Sequence, residues 1–445
     1  VISGTALDRL IACRLQDGDQ GGHIRRVLAH FPVPALAQRV LDTYFVHGGI
    51  TTPGAYRPVP MFSTAENDDL LALTVVANYA EVALAREGHD GVVGINLLEK
   101  IQLPTLPSLY GAMLAGVDYV LMGAGIPRET PGHLDLLAQH QPASLRLRVD
   151  EGEDALITFD PRRLMGVDLP PLKRPDFLAI ISSDVLAVSL KRNATGRIDG
   201  FVVEGATAGG HNAPPRGGMA TLSPTGEPVY GPRDQPDLVR LQTLGLPFWL
   251  AGSCNGPDQL RAAQTAGAVG IQVGTAFAFC ADSGMAPALR SRALAAIIAE
   301  QTAVFTDPRA SPTGFPFKVL GLSGTVSTPE DYAARPRICN LGYLRSAYRK
   351  ADGSLGWRCA TEPEAAFLAK GGKAEELVGR KCLCNGLMAT VGHPNRTAGG
   401  DRLEPPILTA GDDLAVVARL SRGSTHAYTA NDVISYLTGA AIAAT

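Results

Sequence analysis

Apolar positions along the chain come in two textures. Up to about residue 56 they form groups too short to build a core alone, such as 27–30 and 36–41, and the segment reads as helix and loop. From residue 57 onward, short β-branched or apolar runs alternate with Ala- and Leu-rich stretches of helical spacing. That alternation is the pattern of βα units building a parallel sheet. Eight runs stand out, at 57–61, 71–78, 91–97, 118–123, 176–182, 200–204, 247–252 and 270–275. Several are near-continuous hydrophobics, as strands buried on both faces should be. Helical stretches lie between most of them, at 79–87, 105–115 and 258–266. The last starts on Pro257 and Asp258, which suit a first helical turn. Eight strands with intervening helices predict a (β/α)8 TIM barrel, with an open doubly wound sheet as the alternative.

Two insertions interrupt the barrel expected over 57–324. Residues 127–175 contain a hairpin pattern, 144–149 and 155–159, across the turn-like Asp150 to Asp154. Residues 212–237 are rich in Pro and Gly without periodicity, and a loop of that length in a compact domain is expected to be a functional lid or mobile element. Past about Gly324 the alternation stops. The tail, 325–445, shows helical patterns at 362–370, 375–378 and 431–443 and is read as an α-rich C-terminal appendage.

The 445 residues are 45% apolar and 19% charged, ordinary for a folded protein. The net charge is −3 with no basic run, so no nucleic-acid partner is expected. No apolar stretch reaches the length of a membrane span, and no basic-then-apolar leader pattern opens the chain. The expectation is a soluble, cytoplasmic protein; a homo-oligomer is compatible with the sequence. Seven unevenly placed cysteines do not form a disulfide framework. Of the four in the tail, only Cys382 and Cys384 are close in sequence, whereas structural zinc sites show two close pairs. Ordinary buried thiols and no metal are expected there, and packing is expected for Cys254.

Chemistry concentrates in two clusters. The first, Glu204-Gly205-Ala206-Thr207-Ala208-Gly209-Gly210-His211, directly follows the run 200–204. Glycines at a strand's C-terminal end let the backbone approach a ligand. A His just beyond them can serve as a general acid or base at a barrel mouth. The second is Ala251-Gly252-Ser253 after the seventh run, with Gly274-Thr275 after the eighth. Small residues on those two loops form the usual phosphate site of such barrels. Pro60-Met61, Asn96 and Gly123-Ala124-Gly125 each end an expected strand. The last is no dinucleotide fingerprint, because Arg128 stands where the third glycine would be.

Taken in order, Pro-Met at the first run, Gly-Ile-Asn at the third, Gly-Ala-Gly at the fourth, Ala-Gly-Gly-His at the sixth, Leu-Ala-Gly at the seventh and Gly-Thr-Ala-Phe at the eighth resemble the 2-nitropropane dioxygenase (nitronate monooxygenase) superfamily, which also holds flavin-dependent enoyl-acyl-carrier-protein reductases. The resemblance covers roughly residues 57–320. It implies an FMN-binding flavoprotein with Pro60, Met61 and Asn96 beside the flavin ring. Glu204, Gly205, Ala208, Gly209 and Gly210 would line the flavin and its ribityl chain, and Ala251, Gly252, Ser253, Gly274 and Thr275 would hold the phosphate. His211 would be the catalytic base. Residues 311–316 resemble the segment that closes the substrate pocket. The implied activity is that of an oxidoreductase, a monooxygenase oxidising a nitronate or similar small carbon acid with oxygen as acceptor. The alternative is an NAD(P)H-dependent enoyl-thioester reductase, for which Arg216, Arg233 and Arg240 could meet a carrier. A flavin-binding protein without turnover, using the tail as an interaction surface, is a further alternative. Ser253 and Cys254 depart from the family's usual glycine and aliphatic residue, and the long loops leave the substrate open.

Overall fold

The computed structural model describes all residues except 220, 398–399, 401, 422–427 and 440–445. The chain forms two compact units. One comprises Val1–Ala179, Ser189–Asp199 and Cys339–Gly372; the other comprises Ile180–Val188, Gly200–Ile338 and Lys373–Thr445. The fold is mixed α/β, with seven strands in the parallel sheet where eight were counted.

The first unit carries the parallel strands β1 (Ile2–Ser3), β2 (Gly94–Leu98), β3 (Tyr119–Gly123) and the start of β4 (Asp176–Ile181). Two expected strands are not formed. Residues 71–78 lie inside the helix Asp68–Ala85, capped by the Asn67 side chain accepting from the Leu70 N–H, with Asp68 and Asp69 in its first turn. This helix is buried on most of its circumference, so its sequence has the continuous apolar texture of a buried strand. It packs against the helix Thr105–Leu114 at Gly111, where a Cβ would lie 2.2 Å from the Val75 carbonyl oxygen. Residues 57–61 form no strand, because Pro58 and Pro60 lack the N–H groups a sheet ladder requires. Pro60 and Met61 therefore do not end a first strand; Ile2–Ser3 occupies the sheet position beside β2. The expected hairpin is present as Ala143–Leu147 paired antiparallel with Ala155–Phe159. The tail adds an antiparallel hairpin to its helices, Ser346–Arg349 with Leu355–Arg358. Its turn holds Asp352-Gly353, a hairpin signal that the helical reading passed over.

The second unit carries the end of β4, then β5 (Gly200–Glu204), β6 (Phe248–Ala251) and β7 (Gly270–Gln272), with β5–β6 and β6–β7 parallel. An antiparallel hairpin, Val304–Asp307 with Phe317–Leu320, follows. The helices Pro287–Ile298 and Ala415–Leu420 share one core, in which Phe279, Leu294, Leu320, Leu408 and Val417 are fully buried. The tail is thus built into this unit's interior through Leu408, Val416, Val417, Leu420, Tyr428 and Val433. The expected helix 431–443 is Ala430–Thr438; its last residues lie outside the described residues.

Candidate active site

The chemistry-bearing residues of the second unit gather at the C-terminal ends of its parallel strands. β5 is buried up to Glu204, after which the chain turns through residues 205–210 into His211. The Gly205 N–H donates to the Ala251 carbonyl at 2.9 Å and the Ala208 N–H to the Gly205 carbonyl at 3.1 Å, so the turn closes over the end of β6. There Gly252 has φ +97° and Ser253 φ +52°. A Cβ at Gly252 would lie 3.0 Å from Thr207 Oγ1 and 3.2 Å from the Ala208 nitrogen, so conformation and space both demand glycine. Beyond β7, Gly274 precedes the short helix Thr275–Ala278, and a Cβ there would meet nothing within 4 Å. The backbone N–H groups of Gly252, Ser253, Gly274 and Thr275 donate no hydrogen bond among the described residues. Unspent donors on two adjacent loops suit an anionic group such as a phosphate.

A segment of the tail completes this arrangement. Thr409 Oγ1 accepts from the Gly210 N–H at 2.9 Å, the Gly411 N–H donates to Thr275 Oγ1 at 2.8 Å, and the Asp412 N–H donates to the Thr207 carbonyl at 3.0 Å. Gly209 is required by close approach, since its Cβ would lie 2.8 Å from the Ala410 carbonyl carbon. Residues 409–412 therefore tie the glycine turn after β5 to the loop after β7.

His211 is held by the hairpin that follows. Its Nε2 is 2.7 Å from Ser311 Oγ, and its ring meets Phe317 edge-on with centroids 4.9 Å apart. Ser311 is itself fully buried and bonded to Thr313 Oγ1 at 2.8 Å. Among the described residues nothing bonds His211 Nδ1. Burial pushes the imidazole pKa down to about 4, so the ring is neutral at pH 7. The ordinary imidazole pKa that made His211 attractive from sequence is therefore not the one it has here. Next to Phe317, Lys318 is buried to 1% exposure, 2.6 Å from Asp412 Oδ1 and donating to Thr306 Oγ1 at 2.7 Å.

A cleft of about 390 Å³ opens beside these groups, lined by Ser182, Glu204, Asn212, Arg216, Tyr230 and Asp234 among others. The Glu204 carboxyl has no hydrogen-bond partner among the described residues, and burial pushes its pKa up to about 8, so it keeps its proton at neutral pH. Asn212 donates from Nδ2 to the Ala208 carbonyl at 3.0 Å, while its buried Oδ1 has no partner among the described residues. A protonated acid and an unsatisfied amide oxygen are the donor and acceptor a polar, planar ligand would satisfy. The 212–237 loop is braced across itself: Tyr230 donates to the Ala213 carbonyl at 2.9 Å, and Asp234 accepts from the Arg216 and Gly231 N–H groups at 2.7 Å.

The second unit thus brings together Glu204, Gly205, Ala208, Gly209, Gly210, His211, Ala251, Gly252, Ser253, Gly274 and Thr275. Pro60, Met61 and Asn96 belong to the first unit. Asn96 lies within β2, its carbonyl accepting from the Gly4 N–H at 2.8 Å, and Met61 lies on extended chain with its sulfur against Gly342. The roles of Phe317, Lys318 and residues 409–412 went unread in the sequence, since no periodicity signals a return of the tail. Among the described residues no three His, Cys, Asp or Glu side chains cluster as metal ligands.

Residues 170–309 match the family model described as nitronate monooxygenase. The resemblance drawn from the motifs is borne out over this stretch, which contains both the Gly-Gly-His and the Gly-Thr-Ala-Phe segments. Comparison with curated proteins gives no match. Among solved structures, the chain is similar to FabK from Thermotoga maritima at 18% identity and TM-score 0.43, over 84% of this chain and 81% of that one. Nitroalkane oxidase from Streptomyces ansochromogenes aligns at 17% identity and TM-score 0.34, over 55% and 65% respectively. The enoyl reductase domain of MlnA from Bacillus amyloliquefaciens aligns at 14% and 0.32, over 56% and 55%.

Proposed function

We propose that the chain is an FMN-dependent oxidoreductase that oxidises a nitronate or similar small carbon acid with oxygen as acceptor. The observation that carries this reading is His211, a neutral imidazole deep in the site with Nε2 fixed on Ser311 and Nδ1 unspent. The second unit's donors fit the cofactor: four free N–H groups on the loops after β6 and β7 for its phosphate, and Glu204 and Asn212 Oδ1 as polar partners within the cleft. When bound, FMN supplies the two-electron acceptor that no side chain provides.

The protein's own part is binding, orientation and proton handling. Nδ1 of His211 is the atom that would hold the proton lost from a carbon activated by a nitro group as the nitronate forms, because Nε2 is committed to Ser311. With a pKa of about 4 the imidazole is free base across the neutral range, always ready to accept but a weaker base than an exposed His. With His211 and Glu204 both uncharged, an apolar nitroalkane chain can approach these two groups at low desolvation cost.

The test is an absorbance spectrum of the purified protein, then anaerobic mixing with propyl nitronate and, separately, NADPH. Flavin bands bleached by the nitronate and not by NADPH are expected. His211→Asn is expected to slow bleaching by the parent 1-nitropropane, whose carbon must first lose a proton, by about 10²–10⁴-fold while FMN stays bound. A protein that neither carries nor takes up FMN refutes the proposal. Bleaching by NADPH alone replaces it with the enoyl-thioester reductase reading.

A further inference from the structure

The first unit holds an open-mouthed cavity, none of whose lining residues belongs to the site described above. It forms where the chain leaving β2, the segment 147–150 and the hairpin Ser346–Arg349/Leu355–Arg358 come together. The strand Val149–Asp150 pairs parallel with Ser346–Arg349, so the walls are fixed by one three-stranded sheet. Its floor is apolar: Leu147 and Ala347 are buried, and Leu103 and Trp357 pack on them.

Against that floor the wall is cationic. Lys100, Arg148 and Arg345 line the cavity, with Asp150 as the one acid among its described lining residues, and Lys100 is paired with Glu99 at 3.6 Å. Asp150 is already engaged, its Oδ2 lying 3.5 Å from the Arg358 guanidinium. Arg345 is held in place: its guanidinium lies 5.3 Å from the Trp357 ring centroid and donates to the Phe62 and Gly342 carbonyls. Arg148 is the contrast. Its backbone N–H is bonded to Gln102, but its guanidinium has no partner among the described residues and stands exposed. A fixed cation on an indole, an uncommitted cation beside it and an apolar floor form a recognisable donor set.

We propose that this cavity is a binding site for an organic anion, a phosphate-bearing molecule with a flat or apolar body. The charged end is taken by Arg148 with Arg345, and the body lies on Leu103, Leu147 and Trp357. This inference does not rest on the flavin reading, because the second unit contributes none of these residues.

Equilibrium dialysis with phenyl phosphate tests it, on the full chain loaded with FMN and then freed of excess FMN by gel filtration, so that a phosphate seat in the second unit is filled while no free flavin phosphate competes for the cavity. Saturable binding is expected, with phenol and inorganic phosphate each binding at least tenfold more weakly. Arg148→Gln, an exposed change that leaves the fold intact, is expected to weaken phenyl phosphate at least fivefold; Trp357→Leu should do the same by removing the flat floor. FMN uptake by both variants should equal that of the wild type. Absence of saturable binding overturns the proposal, as does equal affinity in Arg148→Gln or phenol binding as tightly as phenyl phosphate.

Discussion

Glu204 gives a test in which the sign as well as the size follows from the structure. Its carboxyl is desolvated at the end of β5, without a cation or hydrogen-bond partner among the described residues, and its pKa is pushed from 4.5 to about 8. The folded protein therefore keeps a proton there that the unfolded chain releases above about pH 4.5. Stability from this group is fully present below that pH and is lost as pH rises toward 8. At about 1.4 kcal/mol per pH decade, the interval from pH 6.5 to 8 alone costs about 2 kcal/mol. His211 works in the opposite direction: its depressed pKa makes stability rise with pH between about 4 and 6.5, with no contribution above that. Measurements above pH 6.5 thus separate the two. The assay is urea denaturation of FMN-free protein at pH 6.5 and 8.5, for wild type and Glu204→Gln. The amide imitates the protonated acid and cannot ionise, so the variant should lose about 2 kcal/mol less over that interval. Parallel pH profiles for the two proteins would refute the assignment of a buried, proton-holding Glu204.

Three further substitutions probe how the site is held. Ser311→Ala removes the partner of His211 Nε2; a neutral hydrogen bond contributes about 1 kcal/mol, so kcat/KM on a nitroalkane should fall about 5–10-fold with KM little changed. Gly411→Ala would set a Cβ 2.8 Å from the Thr207 carbonyl oxygen, and the forced shift of the glycine turn should weaken FMN by at least tenfold in a fluorescence titration. Lys318→Met leaves Asp412, which is 42% exposed, without its buried cation; because water can solvate that carboxylate, the loss in urea denaturation should be about 2 kcal/mol rather than the larger cost of orphaning a fully buried charge.

What the sequence made legible follows from where its signals are local. β2 through β7 are short hydrophobic runs bounded by turns, and all six appear within a few residues of their expected positions. The glycine turn and His211 were readable because the physical requirement, positive φ and close approach beside a strand end, is written in adjacent residues. Where the signal is ambiguous the reading failed. Residues 71–78 carry no polar face because the helix Asp68–Ala85 is enclosed, so period could not separate helix from strand. Length could have done so, since the apolar texture continues to Ala85 with Asn67, Asp68 and Asp69 marking a helix start. Perturbed protonation was likewise illegible, because the pKa of His211 and that of Glu204 are set by burial that no single residue announces.

The tail shows why a local match can cover the glycine turn and His211 without covering all the residues that hold them. The family match ends at residue 309, two residues before Ser311, which fixes the His211 ring. Phe317, against which that ring packs, lies beyond it, as do the 409–412 hydrogen bonds to the loops after β5 and β7. None of these residues carries unusual chemistry; each acts by occupying one place in three dimensions. Lys318 links the two groups physically, because its backbone N–H donates to the Gly210 carbonyl at 2.9 Å while its ammonium holds Asp412. The glycine turn is therefore gripped from the hairpin and from the tail at neighbouring residues, and displacing either should move His211 and the proposed phosphate seat together. If Gly411→Ala lowered FMN affinity without slowing nitroalkane-dependent bleaching of the FMN-saturated enzyme, the two would be mechanically separate, and the tail would serve the cofactor alone.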